Sequence, residues 1–299
     1  MVNNGRGSAR GLSRRRYLGS SIFINCFVLL CTLICVVPVL HIVALSMSGR
    51  EAVLARQVSL LPVDLQFNAY KSVFLDKSMQ NALVFSVLLT FGYTVFAMIG
   101  SILLAYPLSK KQLPGRKFLM IVILIPMYFA GGTIPEYLWI KQLGLIDKPL
   151  ALVLPVLIST YNTIILRNFF LNIPDSLEES AYLDGCNDAG VLMRVVLPLS
   201  AAALATLSLF YAVTRWNSFA DVRYYINSTK YYTLQMKLYQ VVFSTTDTEV
   251  SMLEGGRNAV LSETIRSAAI IYCTVPIVVV YPFLQRHFVQ GVMIGAVKA

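Results

Sequence analysis

The chain has 299 residues, of which 57% are hydrophobic and only 13% charged, whereas a soluble domain carries about a quarter charged residues. That balance excludes an ordinary soluble enzyme and makes lipid the solvent for much of the chain. The net charge of +10 does not indicate nucleic-acid binding, because no basic stripe with interleaved aromatics accompanies it.

A basic, acid-free tail opens the chain at 1–20, with Arg6, Arg10, Arg14, Arg15 and Arg16. The run 21–47 follows, with His41 as its one group able to carry charge. It is too long for a signal-peptide core and lacks an A-x-A cleavage site, so it reads as a retained helix. Further apolar runs lie at about 79–106, 116–135, 149–169, 197–216 and 267–288. All are continuous rather than alternating, and backbone groups in hydrocarbon must bond within their own segment, so six helices are expected and a β-barrel is not. The length leaves no room for a separate soluble catalytic domain.

Charge sets the expected orientation. The tail and the second connection, with Lys110, Lys111, Arg116 and Lys117, are dense in Lys and Arg and free of acids, so both are placed in the cytoplasm together with the C-terminus. Two long connections, 48–78 and 217–266, then lie outside. The second is rich in aromatics such as Tyr224, Tyr225, Tyr231 and Tyr232. Interfacial belts and a docking surface for an external partner both account for them. Four of the five cysteines lie in apolar runs, and the two histidines, His41 and His287, sit in or at the end of such runs. The cysteines read as small hydrophobes buried in a reducing or lipid setting and the histidines as isolated rings, with no metal site and no catalytic group implied.

The connection between the fourth and fifth helices carries the most information. Pro174 suits a helix start, and Ser176 followed by Glu179 has capping-box spacing. Leu177, Ala181 and Asp184 recur on one face. Gly185 stops the helix or turns the backbone, and a second short helix is expected over about 188–196. Leu197-Pro198 then restarts the chain as a transmembrane helix. Read from these residues alone, the unit is either a rigid lever under the membrane or an ordinary amphipathic loop.

The run Glu179-Ser180-Ala181, three residues, Gly185, nine residues, Val195-x-Leu197-Pro198 resembles the EAA loop of ABC importer permeases. Ser180 and Val195 replace the usual Ala and Ile. The flanking residues resemble the carbohydrate branch, the maltose-type second permease. Ala105–Arg116 resembles the turn after that family's second span. Gly131–Leu138 with Leu143–Asp147 resembles the permeases associated with alginate or pectin fragments. Tyr232-Thr-Leu-Gln235 resembles the "PLQ" element with Thr233 replacing Pro, and Gly291–Lys298 resembles the usual tail.

The resemblance implies an all-α, polytopic protein of the type I ABC importer permease fold, in the bacterial cytoplasmic membrane. Its expected parts are the tail 1–20, a first helix and outer loop 21–78, a core 79–290 containing the coupling loop 172–198, and a closing tail 291–299. It further implies a homologous second permease subunit, two ATPase subunits and an extracellular or periplasmic solute-binding protein, besides membrane lipid. In such importers the EAA helices pass ATP-driven closure of the ATPase pair to the pore. Glu178, Glu179, Ala181, Asp184, Gly185, Leu197 and Pro198 take the coupling role by this likeness, with Glu179 paired to a basic group of the ATPase. No G-x-x-x-x-G-K-[ST] run occurs, so ATP and Mg are expected on the partner ATPase and no cofactor on this chain.

Polar groups near membrane depth are candidates for a substrate path: Glu136, Tyr161, Asn162, Arg215, Trp216 and Asn217. Each also has a plainer reading, since boundary charges reach water and an asparagine bonds neighbouring helices. Two rival classes remain at this level. One is a permease of the same architecture for a non-sugar solute. The other is a secondary transporter or membrane enzyme, which the near absence of charge within the spans disfavours.

Overall fold

In the computed structural model, residues 7–243 and 257–296 are described. Arg6, the stretch 244–256 of the second long connection and the closing 297–299 lie outside them. The described residues are almost wholly helical, apart from an isolated bridge between Ser48 and Leu65. The helices are α1 (Gly7–Ser46), α2 (Arg50–Leu54), α3 (Asn68–Leu75), α4 (Lys77–Ser109), α5 (Arg116–Tyr128), α6 (Thr133–Gln142), α7 (Thr160–Leu171), α8 (Asp175–Leu183), α9 (Asp188–Val191), α10 (Leu197–Leu199), α11 (Ala201–Asn217), α12 (Ala220–Tyr225), α13 (Leu234–Phe243) and α14 (Arg257–Ala296). The chain divides into two units, Met1–Val73 with Thr245–Ile271, and Phe74–Ser244 with Tyr272–Ala299.

In the first unit, α1 has an apolar stretch over Phe23–Ser46 whose side chains, from Phe23 to Leu40, are exposed. Exposure of that many large apolar groups is stable only in lipid. Past them the helix ends in a small core of Ala44, Ala52, Val53 and Val58. His41 donates Nδ1–H to the Ser59 carbonyl at 2.6 Å, an ordinary use of the ring.

The second unit is organised on α4, which packs against α7 and α11. Tyr93, Ala97, Ser101, Ala105 and Ser109 recur every fourth residue, and all are buried. The three small residues at 97, 101 and 105 are wholly inaccessible, so neighbouring backbones approach closely there, the packing that replaces hydrophobic drive between helices in lipid. Ser101 Oγ meets Tyr211 OH of α11 at 2.6 Å across this seam.

Three runs that read as single helices are broken. The run 116–135 consists of α5 and α6, bent by 114°. α5 has 13 residues, about 20 Å of helix against a hydrocarbon core of about 30 Å. Gly132 at φ 86° makes the corner, a conformation that a side chain would oppose. The run 149–169 enters as two short 3-10 segments, Pro149–Leu152 and Leu154–Val156, and bends by 51° into α7. The run at 197–216 does not restart at Leu197-Pro198. Its bend of 82° separates Asp188–Leu199 from α11 at Ser200. Pro198 lacks an N–H and follows a π turn at Leu192–Val196, so the ladder is already loosened before the corner. Counting each bent pair as one span, up to six apolar segments match the expected six.

A broken helix in lipid leaves backbone groups to be satisfied by side chains. Arg215 Nη1 donates to the Leu152 carbonyl at 2.7 Å, Tyr93 OH to the Val156 carbonyl at 2.8 Å, and Ser159 N donates to Tyr211 OH at 3.2 Å. Three side chains from α4 and α11 thus hold the fourth span's break.

A second cluster, including Leu89, Ile140, Leu152, Val222, Tyr225 and Ile226, packs the α6, α12 and α13 end of this unit. Asp147 stitches two of its turns. Its Oδ1 accepts from Asn227 N at 3.0 Å and Ser228 N at 2.7 Å, and its Oδ2 accepts from Ser228 Oγ at 2.5 Å. The Ser228 hydroxyl and amide, with Asn227 N and the Lys230 charge, hold its carboxyl below the ordinary value. A carboxyl depressed in the folded state contributes stability above its unfolded value, about 4, and loses it as pH falls through the lower folded value. Hydrogen-exchange protection of the Asn227 and Ser228 amides is therefore expected to fall as pH drops below about 4. In Asp147→Ala it is expected to be absent already at neutral pH.

Candidate coupling segment and substrate cavities

Pro174 is the N-cap of α8, with φ −57°. The helix begins two residues earlier than a capping box on Ser176 requires, so that box does not form. Asp175 and Glu178 in the first turn complement the helix dipole instead. The helix closes on Gly185 at φ 83°: Gly185 N bonds the Tyr182 carbonyl and Cys186 N the Ala181 carbonyl, each at 3.0 Å. This paired closure uses a left-handed glycine. A Cβ on Gly185 would meet nothing within 4 Å, so the constraint is conformational rather than steric. Asn187 caps α9 by accepting from Gly190 N at 2.8 Å. Tyr182 OH donates to Asp188 Oδ1 at 2.7 Å, joining the two short helices, and that bond raises the Tyr182 pKa.

The inner and outer faces of α8 differ in chemistry. Ala181 is 8% exposed and packs in the core cluster with Tyr106, Phe170 and Val191. Glu178 also turns inward and pairs with Lys110 at the end of α4, whose ammonium lies 4.4 Å from the Tyr106 ring centroid. Lys111 and Asp175, both exposed, add a looser pair at 3.6 Å. Glu179, Ser180 and Asp184 face solvent. The Ser180 hydroxyl bonds only the Ser176 carbonyl, so this departure from alanine lies where no core packing forbids it. Leu197 is half-buried and Pro198 exposed.

One outward residue escaped the sequence reading. Leu183, 90% exposed, shares the outer face with Glu179 one turn away, and Leu177 and Met193 are also exposed. The available signal was an apolar residue out of phase with Ala181 on a short helix. Because Glu178 and Lys110 seat α8 on α4, Lys110→Met is expected to raise hydrogen exchange over 175–183 by about fivefold, the effect of losing a partly buried pair worth about 1 kcal/mol. Unchanged exchange would show that apolar packing alone seats the helix.

The six substrate-path candidates fall in different places. Glu136 and Arg215 line one cavity of about 260 Å³ with Tyr93, Asp221, Tyr224 and Tyr225. Tyr161 and Asn162 line a larger one of about 600 Å³, with Phe210 and Tyr281. Trp216 lines an apolar groove between α4, α11 and α14. Asn217 bonds the Val213 carbonyl of its own helix at 2.9 Å. Arg215 is 3% exposed and its Nη1 pairs with Asp221 Oδ2 at 2.6 Å. Tyr225 is pushed up to about 12, by burial first and then by the charge and hydrogen bond of Glu136.

Other motif positions find structural roles. Thr233, where the likeness has proline, caps α13 by accepting from Met236 N at 3.3 Å. Leu234 N donates to Ser86 Oγ of α4 at 2.7 Å.

Residues 83–294 match the family described as binding-protein-dependent transport system inner membrane component. The polygalacturonan/rhamnogalacturonan transport system permease protein YtcP of Bacillus subtilis is 43% identical over 91% of this chain and 96% of its own length. Protein LplC of the same organism is 40% identical over 89% of this chain and 90% of its own. Among solved structures, a bacterial ABC transporter involved in importing the acidic polysaccharide alginate superposes with a TM-score of 0.82 at 29% identity, covering 96% of this chain and 100% of the other.

Proposed function

The chain belongs to the family of binding-protein-dependent transport system inner membrane components, and on that premise we propose that it is one of two permease subunits of an ATP-driven importer for an acidic oligosaccharide. It is a multi-pass inner-membrane permease for sugar import. The finer assignments are that the sugar is a uronate-bearing fragment of pectin type, that both termini are cytoplasmic, and that α8 docks on a separate ATPase subunit supplying ATP hydrolysis. A homologous second permease and an external solute-binding protein complete the assembly.

The observation that carries the coupling role is the α8–Gly185–α9 unit. It is closed by its own hydrogen bonds and keyed to α4 by Glu178 and Lys110. It nevertheless leaves Glu179 and Leu183 facing outward. Such a unit passes a push to the spans as a rigid body. The acidic-sugar assignment is supported by the likeness to the polygalacturonan/rhamnogalacturonan permease along nearly the whole chain.

Reconstitution of the assembled importer in proteoliposomes tests this reading. Uptake of radiolabelled trigalacturonate is expected only with ATP and the binding protein present. Uptake driven by an ion gradient without ATP would sink the import mechanism, and uptake of a non-sugar solute alone would sink the cargo.

A further inference from the structure

Arg215 is used on one side only. Its Nη1 holds both the Leu152 carbonyl and the Asp221 carboxylate, and its Cζ lies 5.9 Å from the Tyr93 ring centroid. The other edge, Nε and Nη2, is buried and has no hydrogen-bond partner among the described residues. Buried donors are almost always paired, so an unpaired edge of a guanidinium calls for a ligand. Nε–H and Nη2–H are parallel donors spaced to meet the two oxygens of one carboxylate, a geometry that a lysine ammonium cannot offer.

We infer that the unpaired Nε/Nη2 edge of Arg215 is a receiving point for the carboxylate of a single uronate ring in the 260 Å³ cavity that Arg215 lines. The inference rests on the oligosaccharide-import reading and assigns it a residue. The cavity's other walls fit a sugar ring. Tyr224 and Tyr225 present aromatic faces, while Thr133 presents a hydroxyl for the ring hydroxyls. Asp221 occupies Nη1, so it orients the guanidinium without filling the free edge. Glu136 on the same wall is a like charge for an incoming carboxylate, which limits how tightly the ring is held. A site on a transport path must release its cargo as well as take it.

The test uses the assembled importer in proteoliposomes with trigalacturonate and its methyl ester as probes, at fixed binding-protein concentration. Arg215→Lys, which keeps the charge and loses the fork, is expected to raise the KM for trigalacturonate about tenfold and to leave that for the ester within about twofold. Because that variant also disturbs the Leu152 contact, exposed Glu136 supplies a second measurement. Glu136→Gln removes the like charge and is expected to lower the KM for trigalacturonate severalfold without changing that for the ester. Equal shifts for acid and ester in Glu136→Gln, or an unchanged acid-to-ester ratio in a folded Arg215→Lys, overturn the inference while leaving sugar import standing. Uptake of neither probe by the wild-type importer overturns the import reading and this inference together.

Discussion

Leu183→Asp is expected to reduce ATP-coupled uptake by about thirtyfold or more while leaving the melting temperature of the isolated chain unchanged. Leu183 is 90% exposed, so its side chain contributes almost no burial to the chain's own stability, and surface replacements of this kind fall within about 0.5 kcal/mol. Buried against a partner, a leucine contributes about 2 kcal/mol, which corresponds to roughly thirtyfold in affinity. Aspartate removes that contribution and adds a charge that must be desolvated. The measurement pairs substrate-stimulated ATP hydrolysis by the assembled importer with thermal unfolding of the permease. Normal coupling in a correctly assembled variant would show that α8 does not dock through this face. Glu179 lies on the same face, and a charge reversal there is the companion experiment.

Arg215→Met is expected to destabilise the chain by about 3 kcal/mol, at the lower end of the range for breaking a buried ion pair. The loss is large because methionine leaves the Asp221 carboxylate and the Leu152 carbonyl without their shared donor. It stays at the lower end because Asp221 keeps some contact with solvent and its Oδ1 still accepts from Ser218 Oγ and Val222 N. The double variant Arg215→Met/Asp221→Asn is expected to recover most of the loss, since the uncompensated charge is gone. Thermal unfolding in detergent of the three proteins decides it. Equal melting of wild type and Arg215→Met would remove the buried pair from the list of what holds the fourth span's break.

Some departures from the family pattern become intelligible only with neighbours in place. Ser180 is tolerated because its position faces outward, and Thr233 replaces proline because its hydroxyl caps α13. Glu178 and Glu179 are adjacent and chemically alike, yet one is keyed to Lys110 and the other faces solvent. No local pattern separates them, because the distinction depends on where α4 ends relative to α8, across 68 residues of chain. Arg215 likewise reads as a boundary charge near water, and its burial depends on Asp221, Leu152 and Tyr93, which come together only when α4 and α11 clasp the broken fourth span.

Hydropathy, the Lys and Arg bias and the spacing from Glu179 to Pro198 by themselves determined a helical membrane protein, its expected orientation, and the short helix with a glycine corner for which coupling is proposed. These are properties of single segments: transfer of a side chain to lipid, a left-handed turn, a helix stop. Tertiary structure alone decided that three spans break, which side chains satisfy the opened backbone, which face of α8 is free, and that Glu136 and Arg215 share a cavity while Tyr161, Asn162, Trp216 and Asn217 lie elsewhere. Continuous apolar runs look alike whether straight or bent. In lipid a bend is permitted only where some other helix supplies the missing hydrogen bonds, and that supply is a property of packing.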